Sequence, residues 1–181
     1  MISSEDALLI IDMQQGLFRG PVSPYQADAL LANVCLLIEK ARQAEVPVFF
    51  ARHTGADDSP FSAQSPLTQL LPEMGVNGER DIVFIKKYPS CFQQTDLAHQ
   101  LAQAGVKQLV IAGMKTEFCV DTTCRAASAL GLRTVLISDA HSTMDNERLS
   151  APDIIGHHNV TLAGPFVTLS TAAEWRFSAE K

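Results

Sequence analysis

The stretch Val110–Ile111–Ala112–Gly113–Met114–Lys115–Thr116–Glu117–Phe118–Cys119–Val120–Asp121–Thr122–Thr123–Cys124 decides how the chain is read. An apolar run stops at Gly113 and a short polar turn follows. Cys119 then opens a predicted helix that runs to Leu130 and is closed by Gly131. A thiol at a helix start meets unpaired N–H groups and the positive end of the helix dipole. Cys119 is therefore expected to ionise below the ordinary thiol pKa of about 8.5. The same amides, with those of the turn at Met114 and Lys115, are placed to hold an oxyanion. The other reading of Cys119 is a small buried apolar residue, which is the usual role of a free cysteine. Partners elsewhere in the chain decide between the two.

Working outward from this strand and helix, the same alternation recurs. Ala7–Ile11 is an unbroken apolar run that ends on Asp12, the pattern of a strand buried on both faces. Residues 14–21 form a loop. Leu30, Leu31, Val34, Leu37, Ile38 and Ala41 then recur at helical spacing between about Pro24 and Ala44. Val46–Phe50 is the next strand, and residues 57–66 are a Ser/Pro/Asp-rich loop able to cover or line a site. Ile82–Ile85 is a strand that delivers Lys86 and Lys87, and Thr95–Ala104 is a helix stopped by Gly105. After the opening stretch come strands at Thr134–Ile137 and Phe166–Leu169, with a helix over Ser150–Leu162 between them.

Strands alternating with helices imply an α/β fold: a doubly wound, three-layer sandwich around a mostly parallel sheet of about six strands. With 181 residues the chain is read as one domain spanning 1–181. Sites in such sheets lie at the carboxyl ends of the strands. Asp12, Lys86 and Cys119 all follow strands and so are delivered to one edge. There the lysine would favour thiolate, and the aspartate could take the thiol proton and return it to a departing amine. Taken singly, Asp12 reads first as a cap and Lys86 as a solvated charge.

Apolar residues at 46% and charged residues at 19% describe a globular chain, and a net charge of -6 without a Lys/Arg run argues against nucleic acid as a partner. No apolar run reaches the length of a membrane helix, and Met1–Asp6 lacks the basic-then-apolar order of a signal peptide. A cytoplasmic protein with reduced thiols at Cys35, Cys91, Cys119 and Cys124 is expected, acting on a small molecule.

Three blocks together carry a resemblance. They are Leu9–Ile10–Ile11–Asp12–Met13–Gln14; Lys86–Lys87–Tyr88–Pro89–Ser90–Cys91–Phe92 followed by Thr95 and Leu97; and Gly113–Met114–Lys115–Thr116–Glu117–Phe118–Cys119–Val120. Asp139–Ala140 fits as well. In that order they resemble the isochorismatase-like cysteine hydrolases. The resemblance implies a catalytic triad of Asp12, Lys86 and Cys119. Lys86 is preferred to Lys87 because the family's lysine stands six residues before a phenylalanine, here Phe92. It also implies a cis peptide between Met114 and Lys115, with the Lys115 and Cys119 amides as the oxyanion hole. Oligomer formation is likewise implied.

Two departures refine the expectation. Nicotinamidase-like members bind a metal through Asp-x-His after the second strand, where this chain has Ala51–Arg52–His53; no metal or other cofactor is expected. Retention of Cys119 favours covalent C–N cleavage over hydrolysis of an isochorismate-type vinyl ether, which family members can perform without the thiol. Substrate contacts are expected from Phe18, His53 and Phe118. His141 has the same standing as His53, and His157, His158 and Asn159 read as surface or subunit-contact residues. Cys35 and Cys124 read as packing residues, and Cys91 as a neighbour of the site.

The activity expected is thus cleavage of a small amide or carbamoyl compound through a thioester on Cys119. A thiol-based sensor or ligand-binding module without turnover is the reading from another class, disfavoured because a sensor needs no proton shuttle. A nucleotide-binding dehydrogenase is disfavoured by the lack of G-x-G-x-x-G after the first strand.

Overall fold

The computed structural model describes residues 5–178. Met1–Ser4, on which most of the leader reading rests, lie outside the described residues, as do the last three. Six strands form one parallel sheet: β1 Asp6–Ile11, β2 Val48–His53, β3 Ile82–Lys86, β4 Gln108–Met114, β5 Arg133–Ser142 and β6 Thr168–Ser170. Their order across the sheet is β3-β2-β1-β4-β5-β6. The chain winds outward from β1 to β3, then crosses back to lay β4 against the other side of β1. The switch point, where a crevice opens at the carboxyl ends, therefore lies between β1 and β4.

Helices cover both faces. On one face α2 (Ala27–Gln43) packs Leu30, Val34, Leu37, Ile38 and Ala41 onto Leu8, Ile10, Phe50 and Val110. On the other, α3 (Leu97–Gln103), α4 (Asp121–Ala129) and α5 (Ala151–Leu162) pack Leu97, Leu101, Cys124, Ala127 and Leu162 onto Ala7, Leu9, Ile11 and Ile111. The alternate residues of β1 thus enter opposite cores, which is why its sequence is apolar without interruption. α5 begins with Ser150 accepting from the Asp153 amide and with Pro152 in its first turn. Among the described residues no helix is long and apolar enough to cross a membrane.

The structure corrects several expected boundaries. The loop after Asp12 contains a short helix, α1 (Gln15–Phe18). α2 starts at Ala27 rather than near Pro24, after Gln26 turns through a left-handed conformation with φ 48°. β2 runs to His53, because pairing with β3 holds Ala51 to His53 beyond the apolar run. The helix predicted from Cys119 to Leu130 is two pieces, a wide π turn over Thr116–Val120 and then α4 from Asp121.

β5 also exceeds its predicted length, and its pairing with β4 is irregular. Ile111 is level with Leu136 and Gly113 with His141, so two steps along β4 match five along β5. The extra residues bulge out and re-aim the end of β5 towards the turn after β4.

Candidate active site

Register brings the predicted residues together. Ile11 is level with Ala51 of β2 and Gly113 of β4, and His53 is level with Lys86 of β3. Asp12, His53, Lys86 and the turn after Met114 consequently emerge side by side. Asp12 has a left-handed backbone, with φ 51°, and its amide donates to the Ala51 carbonyl at 3.1 Å. Gly113 has φ 120°, and a Cβ there would lie 2.1 Å from the Ile11 carbonyl oxygen. Only glycine lets β4 approach β1 this closely just before the turn that carries Cys119.

Lys86 is the hub. Its Nζ lies 2.8 Å from Asp12 Oδ2 and 3.2 Å from Cys119 Sγ. It is also 3.2 Å from the Tyr88 carbonyl oxygen and 3.3 Å from His53 Nδ1. Lys86 and Asp12 are each about 1% exposed. Asp12 Oδ1 is buried without a hydrogen-bond partner among the described residues.

The electrostatics follow from burial. Burial pushes the Asp12 carboxyl upward, and the Lys86 charge only partly offsets it. For Lys86, burial alone would favour loss of the proton, but Asp12 and the thiols of Cys91 and Cys119 outweigh it and the net direction is upward. Burial first, and then the Asp12 carboxylate, push the Cys119 thiol up to about 12 against the pull of Lys86. This corrects the expectation of a thiol that ionises early. Cys119 lies in the π turn ahead of α4 rather than at a helix start, and the dry pocket and the carboxylate outweigh any dipole. The site holds one cation, and because burial pushes the Cys91 thiol upward and keeps it protonated, Asp12 and Cys119 are the groups left able to become anions. With one anion balancing Lys86, the remaining proton belongs to the Asp12–Cys119 pair as a unit.

Oxygen, nitrogen and sulfur atoms of Asp12, His53 and Cys119 lie within 4.8 Å of one another, the spacing of metal ligands. The Lys86 ammonium, however, stands within 3.3 Å of all three residues and fills the place a cation would take. Ala51 supplies no carboxylate at the position where nicotinamidase-like relatives are expected to have one. These residues do not fit a metal.

The Met114–Lys115 peptide is cis, as the resemblance implied. The Lys115 carbonyl accepts from the amides of Phe118 and Val120 at 3.2 and 3.1 Å, which closes the turn carrying Cys119. Of the expected substrate contacts, His53 faces Lys86 and Phe118 is 54% exposed, whereas Phe18 is corrected: its ring is buried in the core that packs against α2 and is closed to a ligand. Burial and the neighbouring Lys86 lower the His53 pKa, so its Nδ1 is free to accept.

One side chain was not legible as part of the site, and one expected contact takes a different place. Gln14 is fully buried; its amide nitrogen donates to the carbonyls of His53 and Thr68 at 2.9 and 2.8 Å. Its oxygen accepts from the His53 amide at 2.8 Å, so this one side chain fixes the end of β2 against the loop that follows. A polar residue directly after a buried strand was the available signal. His141 is the second case. Its ring nitrogens are engaged by Thr116 and Asn159, so it is no free substrate contact, and Asn159 is no plain surface residue.

A doubly wound sheet with carboxylate, ammonium and thiol gathered at its switch point marks a class of enzymes, the hydrolases that carry a strand-end cysteine. The chain belongs to the isochorismatase family of cysteine hydrolases, its residues 6–152 matching the isochorismatase domain. It is 34% identical over 175 residues to streptothricin hydrolase of Streptomyces noursei, covering 96% of this chain and 60% of that protein. It is 31% identical over 156 residues to nicotinamidase 3 of Arabidopsis thaliana, covering 78% of this chain and 75% of the relative. An isochorismatase structure from Pseudomonas putida KT2440 superposes with a TM-score of 0.88 at 29% identity, covering 96% and 91% of the two chains.

Proposed function

We propose that this hydrolase cleaves the C–N bond of a small amide or carbamoyl compound through a thioester on Cys119. The observation that carries the reading is the buried Lys86 ammonium, 2.8 Å from the Asp12 carboxylate and 3.2 Å from the Cys119 sulfur. Similarity to a streptothricin hydrolase and a nicotinamidase supports an amide as the substrate class.

Asp12 takes the thiol proton as the sulfur attacks the carbonyl carbon. The net charge of the site is unchanged and Lys86 stays paired throughout, which lowers the cost of ionising a thiol whose resting pKa is about 12. The oxyanion of the tetrahedral adduct is taken by the amides of Lys115 and Cys119, which belong to one turn. Collapse breaks the C–N bond, and the amine departs with the proton from Asp12. Water then gives its proton to Asp12 and attacks the thioester, releasing the acid and restoring the thiol. His53, with a ring nitrogen within 4.8 Å of the sulfur, and Phe118, its exposed neighbour in sequence, are the substrate contacts of this reading, and Phe18, buried in the core, is not one. Four free thiols suit a reducing, cytoplasmic setting, and the reading includes self-association, which light scattering reports.

A screen of small amides and carbamoyl compounds for ammonia release tests the reading, with Cys119→Ala as the blank. Cys119→Ala, Asp12→Asn and Lys86→Ala should each lose about a thousandfold or more in turnover, and the losses should not add, because the three act as a unit. Full turnover in all three variants overturns it.

A further inference from the structure

Behind the turn that carries Cys119 runs a chain of three buried or half-buried polar side chains. Thr116 Oγ1 is 2.9 Å from His141 Nδ1, and His141 Nε2 is 2.9 Å from Asn159 Oδ1. The Asn159 amide nitrogen donates to the Ser138 carbonyl at 3.3 Å. That last contact fixes the direction of the rest. With its nitrogen committed, Asn159 presents its oxygen and accepts from His141 Nε2–H. His141 Nδ1 is then a lone pair, and Thr116 must donate to it.

Thr116 and His141 are almost completely buried. Net, such bonds add little to stability, yet they are directional and the surroundings are dry. Their consequence is one rotamer for Thr116, the residue that follows the cis peptide and starts the π turn to Cys119. A second tie lies alongside, where Thr143 Oγ1 donates to Glu117 Oε1 at 2.9 Å. Both ties come from the end of β5, and the bulge that sets Gly113 level with His141 is what brings that end within reach.

We propose that His141, held by Asn159, is a positioning residue: through Thr116 it fixes the turn Lys115–Val120 so that the Cys119 sulfur and the turn's amides meet the substrate carbonyl together. This rests on Cys119 being the nucleophile. It assigns a task in the reaction to α5 and to the β5 bulge, which act through Thr116. It also explains why a polar chain stands where apolar side chains would pack as well.

The test uses p-nitrophenyl acetate, a small activated ester, with the intact chain. Attack by Cys119 forms the S-acetyl thioester and releases p-nitrophenolate, read in stopped flow with Cys119→Ala as the blank. Thr116→Val keeps the shape and removes the donor. The maximal acylation rate should fall at least tenfold while the half-saturating ester concentration changes less than threefold. Thr116→Ser, which keeps the hydroxyl, should restore the rate to within threefold of the parent. Asn159→Leu, one residue further from the reaction, should reproduce the Thr116→Val defect, with circular dichroism confirming the native fold of each variant.

Cys119-dependent release with unaltered acylation in Thr116→Val and Asn159→Leu overturns the inference and leaves the nucleophile assignment standing. Equal defects in Thr116→Ser and Thr116→Val overturn it as well, since packing rather than the hydrogen bond would then matter. Release that persists in Cys119→Ala overturns the nucleophile assignment and this inference with it.

Discussion

Acidification should destabilise this protein through one imidazole, and the effect can be isolated. Burial, against a weaker opposing effect of Asn159, lowers the His141 pKa from 6.5 to about 4. Because the folded value is the lower one, the unfolded chain binds the proton first as the pH falls. Stability from neutral His141 is therefore complete above the unfolded value of 6.5. It is lost between there and about 4, and constant below. At about 1.4 kcal/mol per pH unit, the loss reaches about 2 kcal/mol at pH 5 and about 3 kcal/mol at pH 4.

The perturbation that isolates it is His141→Gln, which carries no titrating ring. Urea unfolding of the parent and the variant at pH 7, 6, 5 and 4 gives the difference directly, and groups that do not contact His141, Asp12 among them, contribute equally to both. The parent should start more stable at pH 7 and lose about 3 kcal/mol of that advantage by pH 4. Curves that stay parallel to within about 0.5 kcal/mol would refute the argument, since the ring would then titrate alike in both states.

Other perturbations reach the remaining parts of the site. Lys86→Met strands the buried Asp12 carboxyl and should cost about 3–5 kcal/mol in urea unfolding. The Asp12→Asn/Lys86→Met double variant should cost less than the sum of the singles by about 2 kcal/mol, the coupling of a buried pair. Gly113→Ala places a methyl 2.1 Å from the Ile11 carbonyl oxygen. It should cost about 4 kcal/mol or more, or yield no folded protein by circular dichroism. Iodoacetamide labelling of Cys119, followed by peptide mass spectrometry, should accelerate about tenfold per unit from pH 7 to 9 with no plateau. Asp12→Asn should label faster than the parent at every pH, because the group that most opposes ionisation after burial itself is gone. A plateau below pH 9 in the parent would show a thiol that ionises early after all.

The strands could be read from the chain because a parallel sheet buried on both faces demands unbroken apolar runs, and Ala7–Ile11 and Leu109–Ala112 are such runs. Their alternation with helices decided the architecture. The rule that sites gather at carboxyl ends then placed Asp12, Lys86 and Cys119 on one edge. Periodicity failed where the backbone is irregular. A π turn and an α-helix bury nearly the same residues, so Thr116–Val120 could not be told from the start of α4, and a four-residue helix such as α1 is too short to show a period.

The sequence alone therefore determined the order of the elements and the edge of the sheet where Asp12, Lys86 and Cys119 meet, because both follow from local apolar patterning. Tertiary structure decided the direction of the Cys119 pKa and which polar residues serve the site. A local view offers the thiol only a helix dipole, whereas a closed core surrounds it with hydrocarbon and a carboxylate brought from 107 positions away in the chain. The Gln14–His53 and Thr116–His141–Asn159 contacts join residues whose pairing leaves no periodic trace. Hydrogen bonds between distant residues depend on register and on the β5 bulge, and only the folded chain sets those.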